Sequence, residues 1–182
     1  MKLMIASDIH GSAYYCRQMI AAYLREQADR LLLLGDILYH GPRNDLPREY
    51  DPKQVIDLLN PLKKQILCVR GNCDSEVDQM VLEFPIMSDY AFLSIDNVDI
   101  LATHGHIYPM DQLPPVKTGD YVIMGHTHVP ANVDYGNFTY LNPGSISIPK
   151  NDSPHSYMIL EDGKFTWKDL DGKEFKVKKT YR

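Results

Sequence analysis

The apolar residues of this chain fall into short runs, and three of the first runs end in a glycine with polar residues beside it. Lys2 to Ala6 leads into Ser7-Asp8-Ile9-His10-Gly11, Leu31 to Leu34 into Gly35-Asp36, and Ile66 to Val69 into Gly71-Asn72-Cys73-Asp74. Short apolar runs bounded in this way read as buried strands of a parallel sheet, apolar on both faces. Two helical patterns stand between them. Cys16, Met19, Ile20, Tyr23 and Leu24 follow a Ser12 cap, and Val55, Leu58 and Leu59 follow Asp51-Pro52 and are stopped by Pro61. The first half therefore reads as β-α-β units with right-handed crossovers. Such sheets place ligands beyond the carboxyl ends of their strands, where these polar residues stand. The segment Ile37 to Tyr50 is a loop long enough to suggest function or mobility. It carries His40, Arg43 and Arg48, for which surface solvation is the default reading.

From Tyr90 the pattern changes to β. Tyr90 to Ile95 and Val98 to Thr103, joined by Asp96-Asn97, predict a hairpin that delivers His104-Gly105-His106. Tyr121 to Met124 is a further strand and delivers Gly125-His126-Thr127-His128. Phe138 to Leu141 ends at Asn142-Pro143-Gly144-Ser145, with Pro and Gly placed for a type II turn. Tyr157 to Leu160, Lys164 to Lys168 and Glu174 to Val177 form a meander with Asp-Gly turns. Cys16 and Cys68 read as core, Asp74 as the cap of a short helix, and His155 as surface. Two sheets packed face to face with helices outside accommodate both halves, giving an α/β fold.

Length and composition narrow the class. A chain of 182 residues is expected to form a single domain, residues 1–182. A net charge of -5 and no basic stripe argue against stable nucleic-acid binding. The one basic cluster, Lys176, Lys178, Lys179 and Arg182, reads as a solvated tail. The first residues lack a signal-peptide layout because Asp8 and His10 interrupt them, and no run reaches membrane-spanning length. Three cysteines at irregular spacing give no disulfide framework, so a cytoplasmic location is expected.

The chemistry lies in the histidines. Five of the seven belong to Asp8-x-His10, His104-x-His106 and His126-x-His128, each just past a strand. A lone Asp-x-His is most simply a turn; this concentration points to metal binding. Asp8, His10, Asp36, Asn72, His104, His126 and His128 are too many ligands for one tetrahedral ion and suit two, with Asp36 shared. Oxygen and imidazole donors without thiolate favour manganese, iron, zinc or nickel over magnesium or calcium alone. Two such ions against two carboxylates leave a net positive site that draws an anion such as phosphate. A water held between them ionises near neutral pH and can attack phosphorus in line.

In their order and wording, Asp8-x-His10, Gly35-Asp36, Gly71-Asn72-x-Asp74, His104-Gly105-His106 and Gly125-His126-x-His128 resemble the calcineurin-type metallophosphoesterases. Ser7-Asp8-Ile9-His10-Gly11, Gly71-Asn72-Cys73-Asp74 and Asn142-Pro143-Gly144-Ser145 resemble the small bacterial YfcE-type phosphodiesterases within them. The resemblance implies a four-layer α-β-β-α sandwich of two mixed sheets. It implies one ion on Asp8, His10, Asp36 and His128 and another on Asp36, Asn72, His104 and His126, usually manganese. Asp36, Asn72 and His106 are then the residues expected to act in catalysis, on a small phosphodiester substrate. Cys73 departs from the larger relatives, which carry a histidine after the motif asparagine. That departure places leaving-group protonation in question or assigns it to another donor such as His106. A neighbouring cation would lower the Cys73 thiol. A phosphomonoesterase with the same site is the alternative, and a ligand-depleted protein-interaction scaffold, like the retromer subunit of this fold, a more distant one. A homo-oligomer is compatible with all of these.

Overall fold

The structure is a computed structural model and describes residues 1–182. Strands β1 (Leu3–Ala6), β2 (Arg30–Leu33) and β3 (Ile66–Cys68) pair in parallel. Helix α1 (Ala13–Glu26) links β1 to β2, and α2 (Pro52–Leu59) precedes β3. The leucine run explains the middle of this sheet. Leu31 and Leu33 pack into the cluster shared with α1 and α2, while Leu32 and Leu34 pack into a second cluster that includes residues of the other sheet. Successive strand side chains point to opposite faces, and here both faces are apolar and buried.

Ser12 caps α1 as expected, its side chain accepting from the Tyr15 N–H, and Cys16, Met19 and Tyr23 form the buried face. Leu24 does not join them; it is 63% exposed. Asp51 caps α2 with Pro52 in its first turn. Helix α3 (Glu76–Gln79) is capped by Ser75 through a reciprocal capping box with Asp78. Asp74, expected in that role, is used elsewhere.

The second sheet holds β4 (Tyr90–Ile95), β5 (Val98–Thr103), β6 (Asp120–Ile123), β7 (Ala131–Asp134) and β8 (Phe138–Asn142). The predicted hairpin joins β4 and β5, with Asp96 and Asn97 both at positive φ, the backbone a tight two-residue turn needs. β9 (Ser156–Glu161), β10 (Lys164–Asp169) and the two-residue β11 (Glu174–Phe175) extend the first sheet. The basic tail is not merely solvated. Lys179–Tyr181 forms β12, pairs in parallel with β7, and Lys179 meets Asp134 at 3.0 Å. The sheet orders are β11-β10-β9-β1-β2-β3 and β12-β7-β8-β6-β5-β4, both mixed.

Helices cover only the first sheet. On the second, Leu101, Val122, Met124, Phe138 and Tyr140 are covered by Met110, Leu113 and Val116 from the irregular segment between β5 and β6. The proline-broken run there has no helical period, so the outer layer on this side is loop. No helix is long and apolar enough to cross a membrane. His155, expected at the surface, is half-buried and stacked on Tyr15 at 4.0 Å, with Nδ1 bonded to the Ile146 carbonyl.

One buried charge ties α1 to the first sheet. Glu26 is 8% exposed and accepts from Tyr157 Oη at 2.8 Å and Lys168 Nζ at 3.0 Å, with Lys2 Nζ at 3.3 Å. Burial opposes its charge, but these partners together hold its carboxyl below the usual range. Glu26→Gln is expected to cost about 2 kcal/mol at pH 7, because it leaves the half-buried Lys168 without a counter-ion and Lys2 with Glu161 alone. The wild-type advantage should be full above the ordinary carboxylate pKa and vanish as pH falls through the depressed folded value. Thermal melts of both proteins between pH 7 and pH 3 test this; a gap that persists at the acid end contradicts it.

Candidate metal centre

The carboxyl ends of β1, β2 and β3 face those of β5 and β6, and the histidine and aspartate loops meet there. The backbone in these loops is unusual. Asp8, His10, Asp36, His126 and His128 all adopt positive φ, between 49° and 65°. Side-chain-bearing residues seldom hold that conformation, and such positions concentrate at functional sites. The backbone N–H groups of Asp8, His10 and Gly11 bond to the carbonyls of Gly35, Asp36 and Ile37, which locks the first loop to the second.

Close approach requires glycine at two positions. A Cβ at Gly71 would collide with Oδ1 and the backbone N of Asp36, and one at Gly125 would meet Ser7 Oγ and Asp8 Oδ2. Asp74 supplies the third brace. Its buried carboxylate accepts from the N–H groups of Asp36 at 2.8 Å, Ile37 at 2.9 Å and Gly71 at 2.7 Å. Expected to be a helix cap, it instead holds the Asp36 and Asn72 loops together. Burial raises its pKa, partly offset by those three donors.

Three imidazoles are oriented by backbone carbonyls. His10 Nδ1 bonds to Tyr39 O at 2.9 Å, His128 Nδ1 to Ile148 O at 2.6 Å and His104 Nδ1 to Leu34 O at 2.6 Å. The carbonyl partners place the neutral-ring proton on Nδ1 and leave Nε2 as a bare acceptor. Those acceptors face one another. His10 Nε2 lies 3.2 Å from His128 Nε2, and Asp8 Oδ1, a buried atom with no hydrogen-bond partner, lies 3.1 Å from His128 Nε2. His104 Nε2 lies 3.1 Å from Asn72 Oδ1 and 3.4 Å from Asp36 Oδ2. Lone pairs converging at such distances repel unless a cation or protons sit among them, so the donor set fits metal ions.

Asp36 stands between the two groups, with Oδ2 3.6 Å from His10 Nε2 and 3.4 Å from His104 Nε2. Asp8, His10 and His128 form one cluster of donor atoms, and Asp8, Asp36 and His104 another. The His126 ring stands 5.0 Å from that of His104, and its backbone N–H donates to Asp8 Oδ2. Burial would raise the Asp8 carboxyl, yet His10 and His128 hold it well below the usual range. Burial likewise would lower His104, but Asp36 and Asp8 raise it to about 9.

His106 lies behind His104, with ring centroids 5.3 Å apart, and its buried Nδ1 has no partner. Burial and the neighbouring His104 and His126 push it down to about 4, so it is a neutral imidazole at pH 7. Cys73 sits against Asp36: its N–H donates to Asp36 Oδ1 at 2.8 Å, and its thiol accepts from Asn72 Nδ2 at 3.2 Å. Its sulfur also forms a donor cluster with His10 and Asp36, a ligand position that motif reading did not single out. Burial and the Asp36 carboxylate push the thiol up to about 12; a bound cation acts in the opposite direction.

A cavity of about 440 Å³ opens over these groups, lined by His10, Asp36, Asn72 and His126 and by Arg43 and Lys150. Neither of those two cations has a carboxylate within 4.0 Å. Of His40, Arg43 and Arg48 in the 37–50 loop, only Arg43 lines the cavity. Arg48 lies over the Tyr14 ring at 3.5 Å, and His40 contacts Tyr39 and Tyr50. The sequence marks Asn142 to Ser145 as a turn and as part of the family resemblance, without a role in the site; Gly144 makes the turn at φ 85°. Those residues also scaffold the site: Asn142 Nδ2 donates to Gly125 O at 2.7 Å, and the hydroxyls of Ser145 and Ser147 donate to Asp8 O at 2.9 and 3.0 Å.

Comparison with known proteins identifies the family. The family described as the calcineurin-like phosphoesterase superfamily domain matches residues 1–163. The phosphodiesterase YfcE of Escherichia coli is 43% identical over 162 residues, spanning 89% of this chain and 88% of its own. Its solved structure superposes with a TM-score of 0.93 at 41% identity, covering 97% of both chains. The probable metallophosphoesterase YsnB of Bacillus subtilis is 25% identical over 167 residues, covering 88% of this chain and 83% of its own. Vps29 of Entamoeba histolytica complexed with zinc shares the fold at 22% identity, with a TM-score of 0.60 and coverage of 92% and 90%. Matched along most of its length, with the motif residues gathered at one end of both sheets, the chain belongs to the calcineurin-like phosphoesterase superfamily.

Proposed function

We propose that this protein is a metal-dependent phosphodiesterase with two divalent ions, most simply manganese, with zinc, iron or nickel suited to the same donors. One ion is assigned to Asp8, His10, Asp36 and His128, the other to Asp36, Asn72, His104 and His126. The observation that carries the reading is the convergence of bare Nε2 and carboxylate acceptors around Asp36. The 43% identity to a named phosphodiesterase supports the diester class. When bound, the ions supply Lewis acidity and an ionised water as nucleophile near neutral pH.

The chain's own residues supply the rest. Carbonyl bonds to Nδ1 keep His10, His104 and His128 in the tautomer that offers Nε2. Arg43 and Lys150, unpaired in the cavity, attract the anionic phosphate and orient it. His106, as a neutral imidazole that does not line the cavity, cannot act as an imidazolium acid on the departing oxygen. Beside two cations the Cys73 thiol would tend to ionise, and a thiolate cannot donate a proton. Phenolates leave readily without a proton, whereas alkoxides need one, and general-acid help is typically worth about 10²–10⁴ in rate. Activated aryl diesters are therefore the expected good substrates.

The test is hydrolysis of bis(p-nitrophenyl) phosphate by purified protein. Chelation is expected to stop it and manganese to restore it, with dialkyl phosphates turned over at least about 10²-fold more slowly. Fully metallated protein inactive on all diesters would refute the proposal. Monoester turnover is a second reading, favoured by the two unpaired cations in the cavity, which a dianion would also use. The same assay with aryl monoesters ranks the two. A pure scaffold is disfavoured because no ligand position is missing, and three free cysteines suit the cytoplasm.

A further inference from the structure

We infer that a second, apolar groove beside the metal cavity seats one ester substituent, so that the substrate is a phosphodiester with one flat apolar arm the size of an aryl ring. This rests on the phosphodiesterase reading of the neighbouring cavity. The groove encloses about 460 Å³, and seven of its ten lining residues are hydrophobic, against one of twelve in the metal cavity. Its walls include Leu38, Tyr39, Tyr50, Ile56, Val77 and Val81.

Three observations identify the occupant. First, the two spaces share Cys73, which lines both. Second, two of the three segments that build the groove are the chain just after the site residues, the third being Tyr50 to Ile56. Leu38 and Tyr39 follow Asp36, and Ser75 to Val81 follow Asn72 and Asp74. The inferred path of one substituent, from a phosphate held at Asp36 and Asn72, runs past Cys73, the residue that lines both spaces. Third, the lining disfavours a charged arm. It contains no cation, and its one acid, Asp78, is engaged by the N–H and hydroxyl of Ser75 at 2.8 and 2.9 Å. Yet Tyr39, Val77 and Val81 are 41%, 68% and 42% exposed at its surface. Apolar walls around a volume of this size are what small-molecule sites use, with polar groups fixing orientation at one end.

The test compares phenylphosphonate with methylphosphonate, which carry one head group on different arms and undergo no hydrolysis. Both are titrated into zinc-loaded protein and followed through the methyl NMR signals of Leu38, Ile56, Val77 and Val81. Burial of roughly 60 Å² of ring surface predicts about tenfold tighter binding of the phenyl compound. Its binding should shift the groove methyls, and Val77→Asp or Val81→Asp should shrink the affinity ratio to about twofold or less. Equal affinities, or groove methyls that stay still, overturn the inference while leaving diester hydrolysis intact. So do methyl shifts that follow protein concentration instead of the phenyl ring, which would mark the groove as a contact between copies. Failure of the underlying reading looks different: neither phosphonate binds, no diester is hydrolysed, and both claims fall.

Discussion

Asp36→Ala is expected to lower diester hydrolysis by about 10³-fold or more and to reduce bound metal at both positions. Its carboxylate is the group that faces His10 on one side and His104 on the other, at 3.6 and 3.4 Å. A catalytic cation contributes several kcal/mol of transition-state stabilisation, and each 1.4 kcal/mol or so is tenfold in rate. Loss of a shared ligand weakens both ions at once. His128→Ala should behave differently, because His128 touches only the Asp8–His10 cluster. It should lower one equivalent of metal more than the other. Metal content per chain and the rate on an activated aryl diester, measured on the same preparations, decide the matter. Two equivalents and wild-type turnover in Asp36→Ala would show that the carboxylate is not shared.

The second large effect is expected at a residue assigned to neither ion. Asp74→Ala strands three N–H groups, those of Asp36, Ile37 and Gly71, around a carboxylate that is 3% exposed. Each buried donor left unpaired costs about 1–3 kcal/mol. A total near 4 kcal/mol, or a melting point lower by roughly 10 °C, is expected. Activity should fall about 10–100-fold as well, the usual effect of removing a group that orients ligands. Asp74→Asn should sit between, since its one carbonyl oxygen can serve two of the three donors while its amide opposes the third. Melting curves and rates for the three proteins test this order. If Asp74→Ala melts and turns over like wild type, the cradle does not hold the loops.

Asp74 also marks the boundary between what local sequence can express and what it cannot. Its neighbours Gly71 and Asn72 were legible as a strand end with a polar group, because that is a property of consecutive residues. That the carboxylate turns back to Asp36, 38 positions away, and not forward to α3 depends on β2 and β3 lying side by side. Ser75, one residue on, has a hydroxyl equally able to cap the helix and takes that role.

The same distinction runs through the fold. Unalternating runs such as Leu31 to Leu34 must be buried on both faces, so the parallel core and its site-bearing ends follow from the chain alone. The donor types follow too: Asp, Asn and His at fixed spacing name the chemistry wherever they fold. β7 and β12 left no such trace. The side chains of β7 are all half-buried and those of β12 all exposed, so neither shows a two-residue period, and only their pairing makes them strands. The loop cover over the second sheet and the seating of His155 on Tyr15 are likewise contacts between distant segments. Which Nε2 atoms face each other was decided by the carbonyls of Leu34, Tyr39 and Ile148, because a ring's tautomer answers to whatever partner its fold supplies. The apolar groove belongs to tertiary structure for the same reason. Leu38, Ile56 and Val77 come from three separate segments, and a shared surface among them exists only once those segments have packed.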